Sequence, residues 1–364
     1  MKNQILIYAL IVFGIVCAAA VTHGQTPCEL IVRQTDTGEP ELHLSNAFVK
    51  LVVLPQSSGR ISSLIFTDAD GASVIPPLME TVRSEPLLPD EVHSNRIGYT
   101  DWFWGKHVPP KRNYAYEIID QTAQTCAVRL QHRIDDLKIE RTVRLRSQSM
   151  IVEQTVTLTN IGDQPVTPTY WAHLVLDGSL FIPSDGSGST SYVPIGVGSN
   201  RRKGRRCIDA TKPGVTRWTQ PLGQTFFLPG EPWLVRLACN KPVAVGMRMD
   251  AQGLDPDGML YIWEGDTGDS PAVTIEMIAG DLTLTPGEAK TYSVELLGWR
   301  QSQTFVNLVG DFVISQTDAG DWRVLALCDT AAQEISFIDD QGSQTLSLPA
   351  LQAGAVQTVV REPK

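Results

Sequence analysis

The sequence runs to 364 residues, 42% hydrophobic and 19% charged, a globular composition that excludes a disordered, collagenous or polytopic membrane chain. Its 30 Lys and Arg against 40 Asp and Glu give a formal net charge of −10. That balance argues against a nucleic-acid partner and for a neutral or locally recognised ligand.

Residues 1–24 read as a secretory leader: Lys2 supplies the charge, Ile5 to Val21 an apolar run ending in small residues, and cleavage falls after Ala20 or Gly24. The expected product is exported, periplasmic or extracellular. The alternative is a leader retained as an N-terminal tether, since no other segment could span a bilayer. Export exposes cysteines to an oxidising compartment, and the five beyond the leader, Cys28, Cys126, Cys207, Cys239 and Cys328, are odd in number. None has CxxC or zinc-ligand spacing, so they are expected as core residues with at most one staple among them.

Beyond the leader the dominant pattern is period two, interrupted by Gly, Pro, Asn and Asp, which predicts antiparallel strands. In chain order these are expected at 41–54, 60–66, 126–132, 139–145, 150–159, 169–176, 234–239, 243–248, 259–263, 272–278 and 291–298. The clearest is a hairpin. Ile139, Val143 and Leu145 alternate with polar residues, Ser147-Gln148-Ser149 turns the chain, and Met150, Val152, Val156 and Leu158 resume the apolar face. No long stretch carries helical periodicity. The fold class is therefore all-β, a large antiparallel sandwich over 25–300, with a small C-terminal β module over 301–364.

Several segments carry chemistry. On a strand over 169–176, Trp171, His173 and Val175 share one face. Over 272–278, Val273, Ile275 and Met277 face the core and Glu276 points the other way with Thr274. The aromatic segment 99–116 contains Trp102, Trp104 and His107 interleaved with prolines and cations. It reads as a loop across a concave sheet face, able to stack on sugar rings, or as a satellite cluster folded on itself. The basic run Arg201 to Arg206 reads as a solvated loop or as a grip on an acidic glycan. Acidic clusters at 255–258 and 264–269 lack EF-hand order and read as turns, so no metal is expected. With no P-loop, dinucleotide fingerprint, HExxH or GxSxG, no cofactor is expected either.

Three of these features, taken with the opening, resemble the galactose mutarotase-like (aldose 1-epimerase) superfamily. The matching parts are Asn46, Pro55 and the glycine turn into 60–64; Asn160, Pro165 and His173; and Glu276, Pro286-Gly287-Glu288 and the strand from Tyr292. The resemblance covers 40–300 and implies a twisted β-supersandwich that binds mono- or polysaccharide. It also implies an acid-base pair, His173 donating to the ring oxygen and Glu276 taking the anomeric proton, because ring opening needs one donor and one acceptor with tuned pKa values. Arg60, Arg96, Trp102, Trp104, His107 and Trp171 are the candidate substrate contacts.

Three functional readings follow: an aldose 1-epimerase-like isomerase, a polysaccharide lyase using His173 with Arg96 or Arg60, and a non-catalytic glycan-binding module. The plain alternatives are a hydrogen-bonded sheet histidine at His173 and a rim carboxylate at Glu276.

Overall fold

The computed structural model describes residues 26–67, 98–104 and 113–361, with breaks at 186–187, 199–200, 221–222, 240, 255–256, 267–270, 302 and 340. Arg96 and His107 lie outside the described residues, as does most of the aromatic segment after Trp104.

Two antiparallel sheets of nine strands each form the body. The first runs Glu29–Gln34, Pro40–Ser45, Val49–Leu54, Arg60–Phe66, Gly98–Trp104, Thr169–Asp177, Pro271–Ile278, Met259–Asp266 and Gly223–Phe227. The second runs Val215–Gln220, Ser189–Pro194, Trp233–Leu237, Val243–Met249, Ala289–Arg300, Ile151–Asn160, Leu137–Arg146, Thr125–Ile134 and Ala115–Gln121. Alternation decides which side of each strand meets the core. In Leu137–Arg146 the buried positions are Leu137, Ile139, Arg141, Val143 and Leu145; in Thr169–Asp177, Tyr170, Ala172, Leu174 and Leu176 join the core between the sheets. The only helices among the described residues are the single turns Gly178–Phe181 and Ala251–Leu254.

The asparagines of the sequence motifs are turn fasteners. Asn46 Oδ1 accepts from the Phe48 and Val49 amides at 2.8 and 2.7 Å, while its Nδ2 donates to the carbonyls of Arg146, at the end of a second-sheet strand, and Ser149, in the turn that follows it. Asn160 Nδ2 donates to Gln164 and Leu284 carbonyls at 2.8 and 2.9 Å, and its backbone carbonyl accepts from Gly287. The Thr-Asn turn and the Pro-Gly-Glu turn are thus one knot.

Two buried ion pairs cross the sandwich, each with its arginine on the second sheet and its carboxylate on the first. Arg141 Nη1 donates to Asp101 Oδ2 at 2.8 Å, and Tyr99 and Tyr170 hydroxyls donate to Asp101 Oδ1 at 2.9 and 2.8 Å. Burial opposes the Arg141 charge, but Asp101 and the surrounding tyrosines more than offset it and the group stays protonated. Gly59, at φ +62°, clears the space above: a Cβ there would lie 2.8 Å from Arg141 Nη2. The second pair joins Arg236 Nη2 to Glu264 Oε1 at 2.5 Å, with Ser191 Oγ accepting from Arg236 Nε and Ser189 Oγ donating to Glu264.

Beyond Arg300 come a four-stranded sheet, Thr304–Val309, Phe312–Gln316, Trp322–Ala326 and Val356–Val359, and a separate hairpin, Gln333–Asp339 with Gly342–Leu348. They enclose their own cluster around Phe312, Ile314, Trp322, Phe337 and Leu348. Phe305 instead packs into the main core, stacked on Trp299 and edge-on to Trp233.

Three expectations change. The stretch 41–54 is two strands folded about Asn46, not one, because the Asn46 side chain caps a turn. Residues 98–104, expected in a loop, form a strand: Tyr99, Asp101 and Phe103 point inward while Thr100 lies opposite His173. Glu264, read as part of a turn, is strand residue and core ion-pair partner, which Arg236 makes tolerable.

Substituting Arg141→Met would strand the Asp101 carboxylate in the core and is expected to lower stability by about 3–5 kcal/mol in urea unfolding. Adding Asp101→Asn, which removes the charge but keeps an acceptor for the tyrosine hydroxyls, is expected to recover part of that loss. A single-variant loss below about 1 kcal/mol would show the pair to be dispensable.

Candidate functional site

The site is a register row on the face of the first sheet that turns away from the main core. Across five hydrogen-bonded strands, Thr100 lies opposite His173, His173 opposite Glu276, Glu276 opposite Tyr261 and Tyr261 opposite Phe226. In the neighbouring row Trp102 lies opposite Trp171 and Trp171 opposite Ile278. In the row on the other side, Val175 lies opposite Thr274. The structure therefore brings His173, Glu276 and Trp171 together on one face, with the backbones of Trp102 and Trp104 on the adjoining strand.

His173 Nε2 stands 3.6 Å from Glu276 Oε1, and the two residues are 3% and 2% exposed. Burial is the chief influence on both. It pushes His173 down to about 3, assisted by the Arg60 charge, so the imidazole is neutral over the physiological range. It pushes Glu276 up to about 8, opposed by the neighbouring Thr274 and Trp171 polar groups and by the Arg236 charge. At neutral pH the carboxyl therefore carries the proton and the imidazole is uncharged, a pair that the sheet can bury without a counter-ion. Arg60 is itself buried at 3% exposure beside this pair.

Outward from the pair runs a series of rings. Trp171 meets His173 edge-on at 6.5 Å and Tyr261 edge-on at 5.9 Å; Tyr261 stacks on Phe226 at 4.4 Å; the Arg205 guanidinium lies 5.4 Å over Phe226. The Tyr261 hydroxyl donates to Gln224 Oε1 at 3.2 Å. Trp263, two residues on from Tyr261, shares its face, and its ring lies so close over Gly265 that a Cβ there would collide with it. Trp171, Phe226 and Trp263 are half-buried and pack with Cys207, Leu228, Met259 and Ile278 into a small cluster separate from the main core.

The basic run is a short hairpin, Arg201–Arg202 with Arg205–Arg206, turning through Lys203 at φ 45°. Arg202 pairs with Asp257 and Lys203 with Asp281, which holds the hairpin against the first-sheet side; Arg201, Arg205 and Arg206 are exposed. No group of three metal-ligating side chains occurs among the described residues.

Sequence reasoning did not single out Tyr261, Trp263 and Phe226. The stretch Met259 to Trp263 is apolar at every position, so alternation cannot tell its outer face from its inner one. The partner of each residue is also far away in sequence.

No family model matches this chain, and no curated protein matches it. Solved structures do match. A galactose mutarotase-like protein from Clostridium acetobutylicum superposes with a TM-score of 0.53 at 11% identity, over 76% of this chain and 99% of that one. A TPR-domain containing protein from Parabacteroides distasonis gives 0.51 at 16% identity, over 75% of this chain and 53% of that one, so the chain spans about half its length. The fold is that of the galactose mutarotase-like sandwiches.

Linkage gives the pair a pH signature. Glu276 takes up a proton on folding between its ordinary 4.5 and its folded value of about 8, so its contribution to stability declines as pH rises through that window. His173 releases one between about 3 and 6.5, so its contribution rises there. The slopes cancel from 4.5 to 6.5, and above 6.5 only the Glu276 decline remains. At about 1.4 kcal/mol per pH unit, the wild type is expected to lose about 2 kcal/mol between pH 6.5 and 8 in urea unfolding. In Glu276→Gln that decline is expected to vanish; an unchanged slope would mean that Glu276 does not hold the proton.

Proposed function

We propose, from the galactose mutarotase-like fold and the register row crossing its face, that this is an exported carbohydrate-binding protein whose ligand stacks on Trp171, Trp263 and Phe226. The observation that carries this reading is the ring series itself, which runs from a sealed polar pair to half-exposed aromatic surfaces at the outer strand. The CH faces of a pyranose match such surfaces, and a few polar groups fix orientation. At the outer end the 201–206 hairpin adds guanidinium groups beside Phe226, so an acidic glycan such as a uronate is the expected class. Residues 1–24 carry the export part of the proposal.

The binding reading is preferred over epimerisation on distance and access. Mutarotation needs a hemiacetal between donor and acceptor, and a gap of 3.6 Å between two buried side chains leaves no room for a sugar ring. The protonation of the closed pair is also the reverse of what the resemblance implies, since at neutral pH Glu276 holds the proton and His173 is neutral. Mutarotation would require the row to open.

Glycan-array binding of residues 25–364, paired with polarimetry on free aldoses, separates the two. Binding to uronate-bearing glycans is expected, weakened about tenfold or more in Trp263→Ala and retained in Glu276→Gln, with no acceleration of mutarotation. Acceleration that disappears in both His173→Ala and Glu276→Gln would replace the binding reading with the epimerase one. Recovery of the full-length chain in the cytoplasmic fraction would remove the export component.

A further inference from the structure

We propose that Cys28 and Cys126 join in a disulfide that anchors the start of the folded chain to the second sheet. Cys28 directly precedes Glu29–Gln34, the edge strand of the first sheet, in which Leu30 alone is buried. Its amide donates to the Ala123 carbonyl at 2.9 Å, and its thiol donates toward the Gln124 and Leu145 carbonyls at 3.5 Å each. Cys126 lies on Thr125–Ile134 directly opposite Leu145. Leu145, whose carbonyl takes the Cys28 thiol, is therefore the cross-strand neighbour of Cys126, which puts the Cys28 sulfur against the strand pair that carries Cys126. The two residues therefore share one buried niche around Leu145, at 7% and 0% exposure.

The remaining cysteines are elsewhere. Cys207 sits in the cluster below Phe226, Cys239 beside Leu180, and Cys328 at a bridge to Ser149. The Cys28–Cys126 niche accounts for the even part of an odd set. A covalent tie there also has a physical purpose: the edge strand presents mostly exposed residues, so few apolar contacts hold it, and a crosslink closing a long loop constrains the unfolded chain most.

The chemistry is exchange with a small-molecule or protein disulfide, for which glutathione disulfide is the model. The neighbouring Cys126 group holds the Cys28 thiol below its ordinary value, while that of Cys126 is raised, so Cys28 is the attacking thiolate. Cys28 attacks one sulfur of glutathione disulfide and releases a glutathione thiolate. Cys126, losing its proton, attacks the Cys28 sulfur of the mixed disulfide and releases the second. Two protein thiols lose two electrons and two protons, and one glutathione disulfide becomes two glutathiones.

The test is to refold the full chain from urea in a glutathione redox buffer, quench in acid, alkylate under denaturing conditions and map peptides by mass spectrometry without reduction. A Cys28–Cys126 linked peptide is expected, with Cys207, Cys239 and Cys328 alkylated. Reduction is expected to lower the melting temperature by about 5 °C or more, and Cys28→Ala is expected to remove that response. Alkylation of both Cys28 and Cys126 in the wild type, or linkage of either to another cysteine, overturns the proposal whether or not the variant folds.

Discussion

The sandwich depends on two arginines that reach across it. Arg141 and Arg236 both stand on the second sheet, both are fully buried, and each ends on a carboxylate of the first sheet, Asp101 and Glu264. A buried ion pair is an expensive way to hold two sheets together, because desolvation of both charges offsets most of the attraction. What it does supply is direction. A hydrophobic face tolerates sliding, whereas Asp101, held by Arg141, Tyr99 and Tyr170 at once, has one satisfactory position.

That direction matters for the site on the opposite face. In the first sheet the strands bearing Asp101 and Glu264 flank the two that bear His173 and Glu276. The arginines therefore hold the outer strands of this set of four from behind, and the backbone ladder carries that register to the middle pair. A slip of one residue would turn His173 or Glu276 into the main core, where neither has a partner. The front of the sheet can accordingly keep an uncharged acid–imidazole pair sealed beneath a series of rings, with its proton distribution set by burial more than by neighbouring charge.

The same logic separates what is structural in the family-like motifs from what bears on function. Asn46 and Asn160 are consumed by turns, and the Pro-Gly-Glu turn closes on Asn160. Their work is structural, and the likeness to solved structures at 11% and 16% identity is a likeness of fold that implies no shared reaction. The face of the sheet is where such proteins can differ, and in this chain that face is aromatic and ends in the basic hairpin at 201–206.

Much was legible in the sequence because it depends on local alternation. Ile139 to Leu145 and Met150 to Leu158 had to be strands with one buried face, Val273, Ile275 and Met277 had to turn Glu276 away from the core, and Trp171 and His173 had to share a side. Those rules also gave the all-β class. They failed where alternation is silent or misleading: at 98–104, where aromatics on both faces read as a loop; at Met259 to Trp263, apolar throughout; and at Arg141, Arg236 and Glu264, charged residues at core positions whose partners are distant in sequence. By itself, then, the sequence determined which residues lie on strands and which side most of them present, because a period of two is written in consecutive residues. Only the tertiary structure decided that Thr100, His173, Glu276, Tyr261 and Phe226 form one row, that the His–Glu pair is closed and uncharged, and that Cys28 packs on the strand pair carrying Cys126 and Leu145, because strand order and register are long-range choices fixed by packing and by two buried ion pairs.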